Sequence, residues 1–331
     1  MTVPVEAPLS PMSFDPVDDM EAEYKKIQGR SLGRIAWNRL RKDKAAMFGL
    51  ILIIFFVLIA VSAPLICAIF KVDPNTPNQN LLDALGLPIG PYSGASWQHP
   101  LGLEPQLGRD ILARTVYGAQ TSLIIALLAT VLAMVIGVVL GIVAGYRGSW
   151  VDTAVSRSMD VFLAFPTLLF SIAFLVVVGQ SPAFQNSSNA QIAFLVFIIG
   201  FFGWAYVGRI VRGQTLSLRE KEFVEASRSI GARTPRILFR ELMPNLLPII
   251  LVYSTLLIPT NILTEAAFSY LGVGLAPPTA SWGQMLSDAV SYYQIDPFYM
   301  VVPGVSIFLC VLAFNLFGDG LRDAFDPKAS R

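Results

Sequence analysis

The side chains able to do chemistry are few and scattered. His99 is the only histidine. No second His or Cys lies near it, whereas a metal centre needs clustered ligands at short spacing. Cys67 and Cys310 both fall inside apolar runs, which suits small packing residues better than a disulfide framework or a metal site. Glu265 with Asp296 is the best pair for acid–base work, and nothing in their spacing brings them together. After residue 44 the lysines are Lys71, Lys221 and Lys328, preceded by Phe70, Glu220 and Pro327. No Gly-Lys-Ser/Thr phosphate loop is formed, and there is no metalloprotease pattern, Cys–His pair or Gly-x-Ser-x-Gly elbow. The expectation is a non-catalytic chain with no cofactor of its own.

The composition says what solvent the chain is built for. Of 331 residues 54% are hydrophobic and 14% charged, against about 25% charged in an ordinary soluble domain. A net charge of +1 without a concentrated basic face argues against nucleic-acid binding. A bilayer core of about 30 Å needs about 20 apolar residues per helix. Six runs qualify: 46–70, a stretch within 115–146, 161–179, 191–208, 246–264 and 298–318. Backbone groups in lipid must be satisfied within each run, so the fold class is an all-α integral membrane protein of six transmembrane helices.

Charge sets the orientation. Of the 24 Lys and Arg, 21 fall on the side that holds both termini, leaving Lys71, Arg109 and Arg114 opposite. The positive-inside rule makes that side cytoplasmic, for both termini. The organisation expected is then a disordered cytoplasmic tail over 1–24, a basic amphipathic helix over 25–45 and a first span over 46–70. An extracytoplasmic loop over 71–114 follows. A core of five spans over 115–318 contains a cytoplasmic loop at 209–245, and a cytoplasmic tail covers 319–331. Residues 1–24 hold no apolar h-region, so no cleavable signal is expected and the first span acts as the insertion signal. In 25–45, Ile27, Leu32, Ile35, Trp37 and Leu40 could contact lipid beneath basic heads, or the charges could merely fix topology.

Gly137, Gly141 and Gly145 recur every four residues in the second span, a small-residue stripe suited to close helix approach within the bundle. Pro166 and Pro259 should kink the third and fifth spans. The spans lack mid-membrane charges, which ion-coupled carriers usually carry. Asp160 falls at the inner edge of the third span and Glu265 at the outer end of the fifth. Energy for transport therefore has to come from a partner.

The loop at 209–245 is the most informative segment. It reads as a helix of about 14 residues that stops at Gly231. Thr234-Pro235 opens a second short helix, and Pro244 breaks the chain before the next span. Phe223, Ala226 and Ile230 form an apolar stripe that needs a surface to bury it. Glu225-Ala226-Ser227, then Gly231, then Met243-Pro244, resembles the Glu-Ala-Ala loop of ABC importer membrane subunits, with Ser for the second Ala and Met for Leu. His99-Pro100-Leu101-Gly102, Leu107-Gly108-Arg109-Asp110, Gly145 to Asp152, Phe165-Pro166-Thr167, Ser269 to Gly274, Pro277-Pro278, Ser281-Trp282-Gly283 and Gly318 to Asp323 narrow the resemblance. They resemble the "C" permease of the dipeptide and oligopeptide importers, over about Arg34 to Pro327.

That resemblance implies a type I ABC importer permease in a bacterial inner membrane, pairing with a second homologous permease. It implies two ATP-binding subunits or domains, which bind ATP and Mg, and an extracytoplasmic binding protein that docks on the outer loops. It assigns Glu225, Ala226, Ser227, Arg228, Gly231 and Arg236 to coupling with the ATPase. Cargo would be di- or oligopeptides, with nickel, glutathione or oligosaccharide as alternatives. A secondary carrier or channel, or a membrane-bound enzyme or scaffold, belongs to other classes that the sequence favours less. Pro166, Asn261 and Glu265 are candidates for the translocation path. Glu265 could meet a peptide's amino terminus, or could be a helix-end charge that reaches water.

Overall fold

The computed structural model describes residues 32–185 and 187–326. The expected tail over 1–24, the basic residues up to Arg30, and Lys328 and Arg331 lie outside them. Among the described residues there is no strand, only two isolated bridges. The longer helices are α1 (Leu32–Leu40), α2 (Lys44–Val61), α3 (Ala63–Phe70), α4 (Ile111–Arg147), α5 (Ser149–Ala164), α6 (Thr167–Val178), α7 (Ser188–Leu218), α8 (Glu222–Ser229), α9 (Thr234–Tyr270), α10 (Trp282–Ala289) and α11 (Pro297–Phe325). Five of them, α2, α4, α7, α9 and α11, are long and apolar enough to cross a membrane, and α5 with α6 forms a bent sixth.

The six apolar runs each find their helix, but four boundaries differ from expectation. The run 46–70 divides at Ser62, where a new helix starts with Pro64 in its first turn. The third span does not simply kink: α5 and α6 part at Phe165–Pro166 with a bend of 79°. The ring of Pro166 forces Phe165 out of the helical region, to φ −79 and ψ 127. Pro259 interrupts nothing, since α9 continues through it and through Pro248. Membrane helices accept such prolines where neighbours satisfy the freed carbonyls.

Pro244 does not break the chain either. A π-helical turn over Ile237–Leu242 precedes it, with the Met243 amide donating to the Leu238 carbonyl. That wider turn relieves the clash a proline ring makes with the carbonyl four residues back. Consequently the segment from Thr234 to Tyr270 is one rod of 37 residues, roughly 55 Å long at 1.5 Å per residue. The second span also starts earlier, at Ile111, behind an Asp110 cap that accepts from Ala113.

α4 and α7 run along each other as the spine. A Cβ on Gly137 would sit 2.7 Å from Val207 Cβ. On Gly141 it would sit 2.8 Å from the Gly208 carbonyl, and on Gly145 2.7 Å from Thr215 Cβ. The glycine stripe is therefore the seam of the chain's own bundle. α1 packs Ala36 and Leu40 onto the end of α11, and Arg39 Nη1 donates to the Asp326 carbonyl at 2.9 Å. Both ends of the described chain thus share one face with α8. The opposite face carries the 71–110 loop, α10 and the start of α11.

Candidate functional site

α8 has one buried residue. Val224 is completely buried, in a cluster with Val207, Val211, Ile237, Leu242 and Leu246. Phe223, Ala226 and Ile230 stay exposed, Ile230 by 77%. The helix is eight residues long, shorter than the expected 14, because α7 continues to Leu218 and the chain turns over 219–221. Its stop is a glycine cap. Gly231 takes φ +75, its amide donates to the Arg228 carbonyl, and the Ala232 amide donates to the Ser227 carbonyl. A Cβ at Gly231 would meet nothing within 4 Å, so glycine is required here by backbone conformation alone.

The named polar groups divide. Glu225 and Arg236 face solvent, on α8 and on the first turn of α9. Ser227 is half-buried. Arg228 turns back onto the bundle, its guanidinium 5.0 Å from the centre of the Tyr146 ring at the end of α4. Phe239, 66% exposed on the π turn, adds an apolar group beside this surface. Sequence reading did not single it out, although an aromatic among Arg236 and Arg240 was the available signal.

A cavity of about 740 Å³ opens between α5, α6, α7, α9 and α11. Its polar lining consists of Thr167, Tyr206, Tyr253, Thr260, Asn261, Thr264 and Asn315, and none of its lining residues is charged. Asn261 belongs to this wall, and its Nδ2 donates to Thr130 Oγ1 on α4 at 2.9 Å. Pro166 sits at the bend between two lining residues, Phe165 and Thr167. Glu265 departs from both readings made of it. It is fully buried and absent from the cavity wall, held instead by Ser122, Ser269 and Ser281. Asp296 lies elsewhere, accepting from Ser93 at 2.8 Å.

On the opposite face, charged residues are buried together. Glu104 pairs with Arg109 and lies 3.2 Å from Arg114 Nε. Arg114 Nη2 donates to Gln284 Oε1 at 2.7 Å, and the Tyr299 hydroxyl donates to Glu104 at 3.3 Å. Burial pushes the Glu104 carboxyl up, and Arg114 and Arg109 pull it back. His99 Nδ1 meets the Asp110 carboxylate at 2.7 Å, so the lone histidine serves the α4 cap. Burial likewise raises Asp110. Among the described residues no group of three His, Cys, Asp or Glu could hold a metal ion. The network was missed in the sequence, where the only signal was that two of the three outer cations, Arg109 and Arg114, flank the start of a span.

An all-helical membrane chain with a neutral cavity and an exposed apolar helix on the basic face fits a transport subunit. The family model described as "Binding-protein-dependent transport system inner membrane component" matches residues 137–331. The chain belongs to this family. A second model, "N-terminal TM domain of oligopeptide transport permease C", matches residues 31–88 of the permease. The dipeptide transport system permease protein DppC of Alkalihalophilus pseudofirmus is 41% identical over 295 residues, spanning 89% of this permease and 90% of the relative. The oligopeptide transport system permease protein OppC of Bacillus subtilis is 39% identical over 317 residues, 95% and 96% of the two chains. The glutathione transport system permease protein GsiD of Escherichia coli is 40% identical over 292 residues, 88% and 89% of the two chains. The permease is thus a multi-pass membrane subunit of an importer.

Proposed function

We propose that this permease carries di- or oligopeptides inward, paired with a second, homologous membrane subunit and driven by two ATP-binding subunits. The single observation behind the driving step is the unburied face of α8. Phe223, Ala226 and Ile230 are presented outward by a helix rooted through Val224 and stopped by Gly231. An apolar face held in place on a charged surface is what a partner's cleft would cover. Glu225, Ala226, Ser227, Gly231 and Arg236 form that docking segment, and Arg228 passes its displacement to α4 through Tyr146. The 21-to-3 charge asymmetry supports a cytoplasmic position for this face and both termini.

The cavity beside Asn261 and the Pro166 bend is this subunit's share of the path. Hydroxyls, amides and aromatic rings without charge accept peptide backbone while ignoring side-chain charge. An extracytoplasmic binding protein would supply the cargo to the 71–110 loop and to 271–297. ATP-driven closure would move α8, and α9 with it, to exchange inward and outward access.

The test is ATP-driven uptake of radiolabelled trialanine by proteoliposomes holding the complete transporter. Ala226→Trp should abolish uptake while the chain still inserts and assembles. Undiminished uptake would rule out the docking role. Glutathione as the accepted cargo, with trialanine refused, would replace the peptide reading.

A further inference from the structure

Glu265 is a buried acid used neither by the cavity nor by the coupling segment. Its Oε1 accepts from Ser269 Oγ and Ser281 Oγ, each at 2.9 Å, and its Oε2 accepts from Ser122 Oγ at 3.0 Å. The three hydroxyls come from three places: α9 itself, the residue that caps α10, and α4. Two of them are tied further. Ser122 Oγ accepts from the Trp282 amide at 3.3 Å, and Ser281 Oγ accepts from the Gln284 amide at 3.1 Å. Trp282 Nε1 donates to the Thr115 carbonyl at 3.0 Å, and its ring meets Phe56 of α2 edge-on at 5.6 Å. Gly283 is pressed so close to α9 that a Cβ there would be 2.6 Å from Ala266 Cα.

A leucine would fill this volume without the cost of burying a carboxyl. Apolar packing is non-directional, whereas satisfied hydrogen-bond networks fix one arrangement. The carboxyl therefore sets how α10 sits on the bundle. It does so from the outer end of α9, whose other end, starting at Thr234, carries Arg236 of the coupling segment.

We infer that Glu265 is a positioning residue that makes the outer surface around α10 move with α9, linking binding-protein docking outside to the ATPase contact inside. The inference rests on the importer reading given above. A load on one surface is then felt at the other, and thermodynamic linkage requires the coupling to run both ways.

The complete transporter in nanodiscs tests this through ATPase rates with and without its binding protein saturated with trialanine. Glu265→Leu should keep the basal rate within about twofold while stimulation by the loaded binding protein falls about tenfold. Glu265→Gln, which still accepts from and donates to the hydroxyls, should keep about half of the stimulation or more. Full stimulation in assembled Glu265→Leu overturns the inference, and so does a parallel fall of basal and stimulated rates, which reports a structural role. Should Glu265→Leu fail to assemble, Ser281→Ala decides: reduced stimulation at unchanged basal rate supports the link, and unchanged stimulation overturns it. Wild-type ATPase that ignores the binding protein would instead overturn the importer reading, and this inference with it.

Discussion

Asn261 Nδ2 donates to Thr130 Oγ1 across 2.9 Å, joining α9 to α4 at the back of the cavity. Thr130 Oγ1 in turn donates to the Ala126 carbonyl at 2.7 Å. One polar residue of the cavity wall is therefore committed to the bundle as well as to the cavity lining.

Thr130→Val should leave the Asn261 amide without its acceptor and lower thermal stability in detergent by about 1 kcal/mol, the usual worth of such a bond between membrane helices. Uptake measured below the unfolding temperature should fall less for Thr130→Val than for Asn261→Leu, which also removes the polar group from the wall.

Gly231 is strained for any other residue by its φ of +75, though nothing crowds it. Gly231→Ala should cost about 1 kcal/mol at the cap, and Gly231→Asn less, since Asn enters the left-handed region more readily. Transport rates should follow the order Gly, Asn, Ala. Equal rates for all three would mean the cap has no part in coupling.

Gly141 and Gly213 offer a paired test of the α4–α7 seam. A Cβ at Gly141 would lie 2.8 Å from the Gly208 carbonyl, and one at Gly213 meets nothing within 4 Å. Gly141→Val should destabilise by several kcal/mol through overpacking, seen as loss of monodisperse protein on size exclusion. Gly213→Ala should elute as wild type.

Pro166 drives the bend. Pro166→Ala releases Phe165 to the helical region, so the 79° turn should relax and narrow the cavity. Thiol labelling of Thr167→Cys should slow in the Pro166→Ala background. Unchanged labelling would assign the bend to packing around Phe165 and Phe170.

Arg114 is fully buried and lies 3.2 Å from Glu104. Arg114→Met should destabilise the outer cap by about 3–5 kcal/mol, because Glu104 loses a buried partner. The double variant Arg114→Met with Glu104→Leu should recover part of that loss in a thermal-shift assay.

Acidity should act on the same cap with a definite sign. Burial raises the Asp288 carboxyl above its ordinary range, opposed by Gln284 and the two arginines. The folded chain then holds a proton that the unfolded chain has released. This contribution is complete below the ordinary aspartate range and fades as pH rises through the raised value. Asp288→Asn should flatten the stability profile over that window.

How much of this could be read from residues alone depends on the range of the interaction involved. Six spans and their order follow from local apolar length, because lipid tests each segment separately, and loop charge is what the reading of their orientation rests on. The glycine stripe, the Gly231 stop and the apolar face of α8 are also local patterns, and they appear where the spacing puts them. The departures at Pro166, Pro244 and Pro259 arise where proline meets its surroundings. Pro166 breaks a helix at an exposed position, while Pro244 follows a π turn and Pro259 is buried among neighbours. A sequence shows the ring and not the relief.

The fate of Glu265 was decided by the tertiary structure alone. Ser122 lies 143 residues from it, and a helix-end carboxylate with no visible partner reads equally as a solvated charge or a cargo contact. Only the convergence of α4, α9 and the cap of α10 surrounds it with hydroxyls, and the same folding buries Glu104 between Arg109 and Arg114. Hydrophobic length and charge sign are properties of a segment, so the chain carries them openly. Who satisfies a buried polar group is a property of the packed bundle, and three-dimensional proximity is what assigns it.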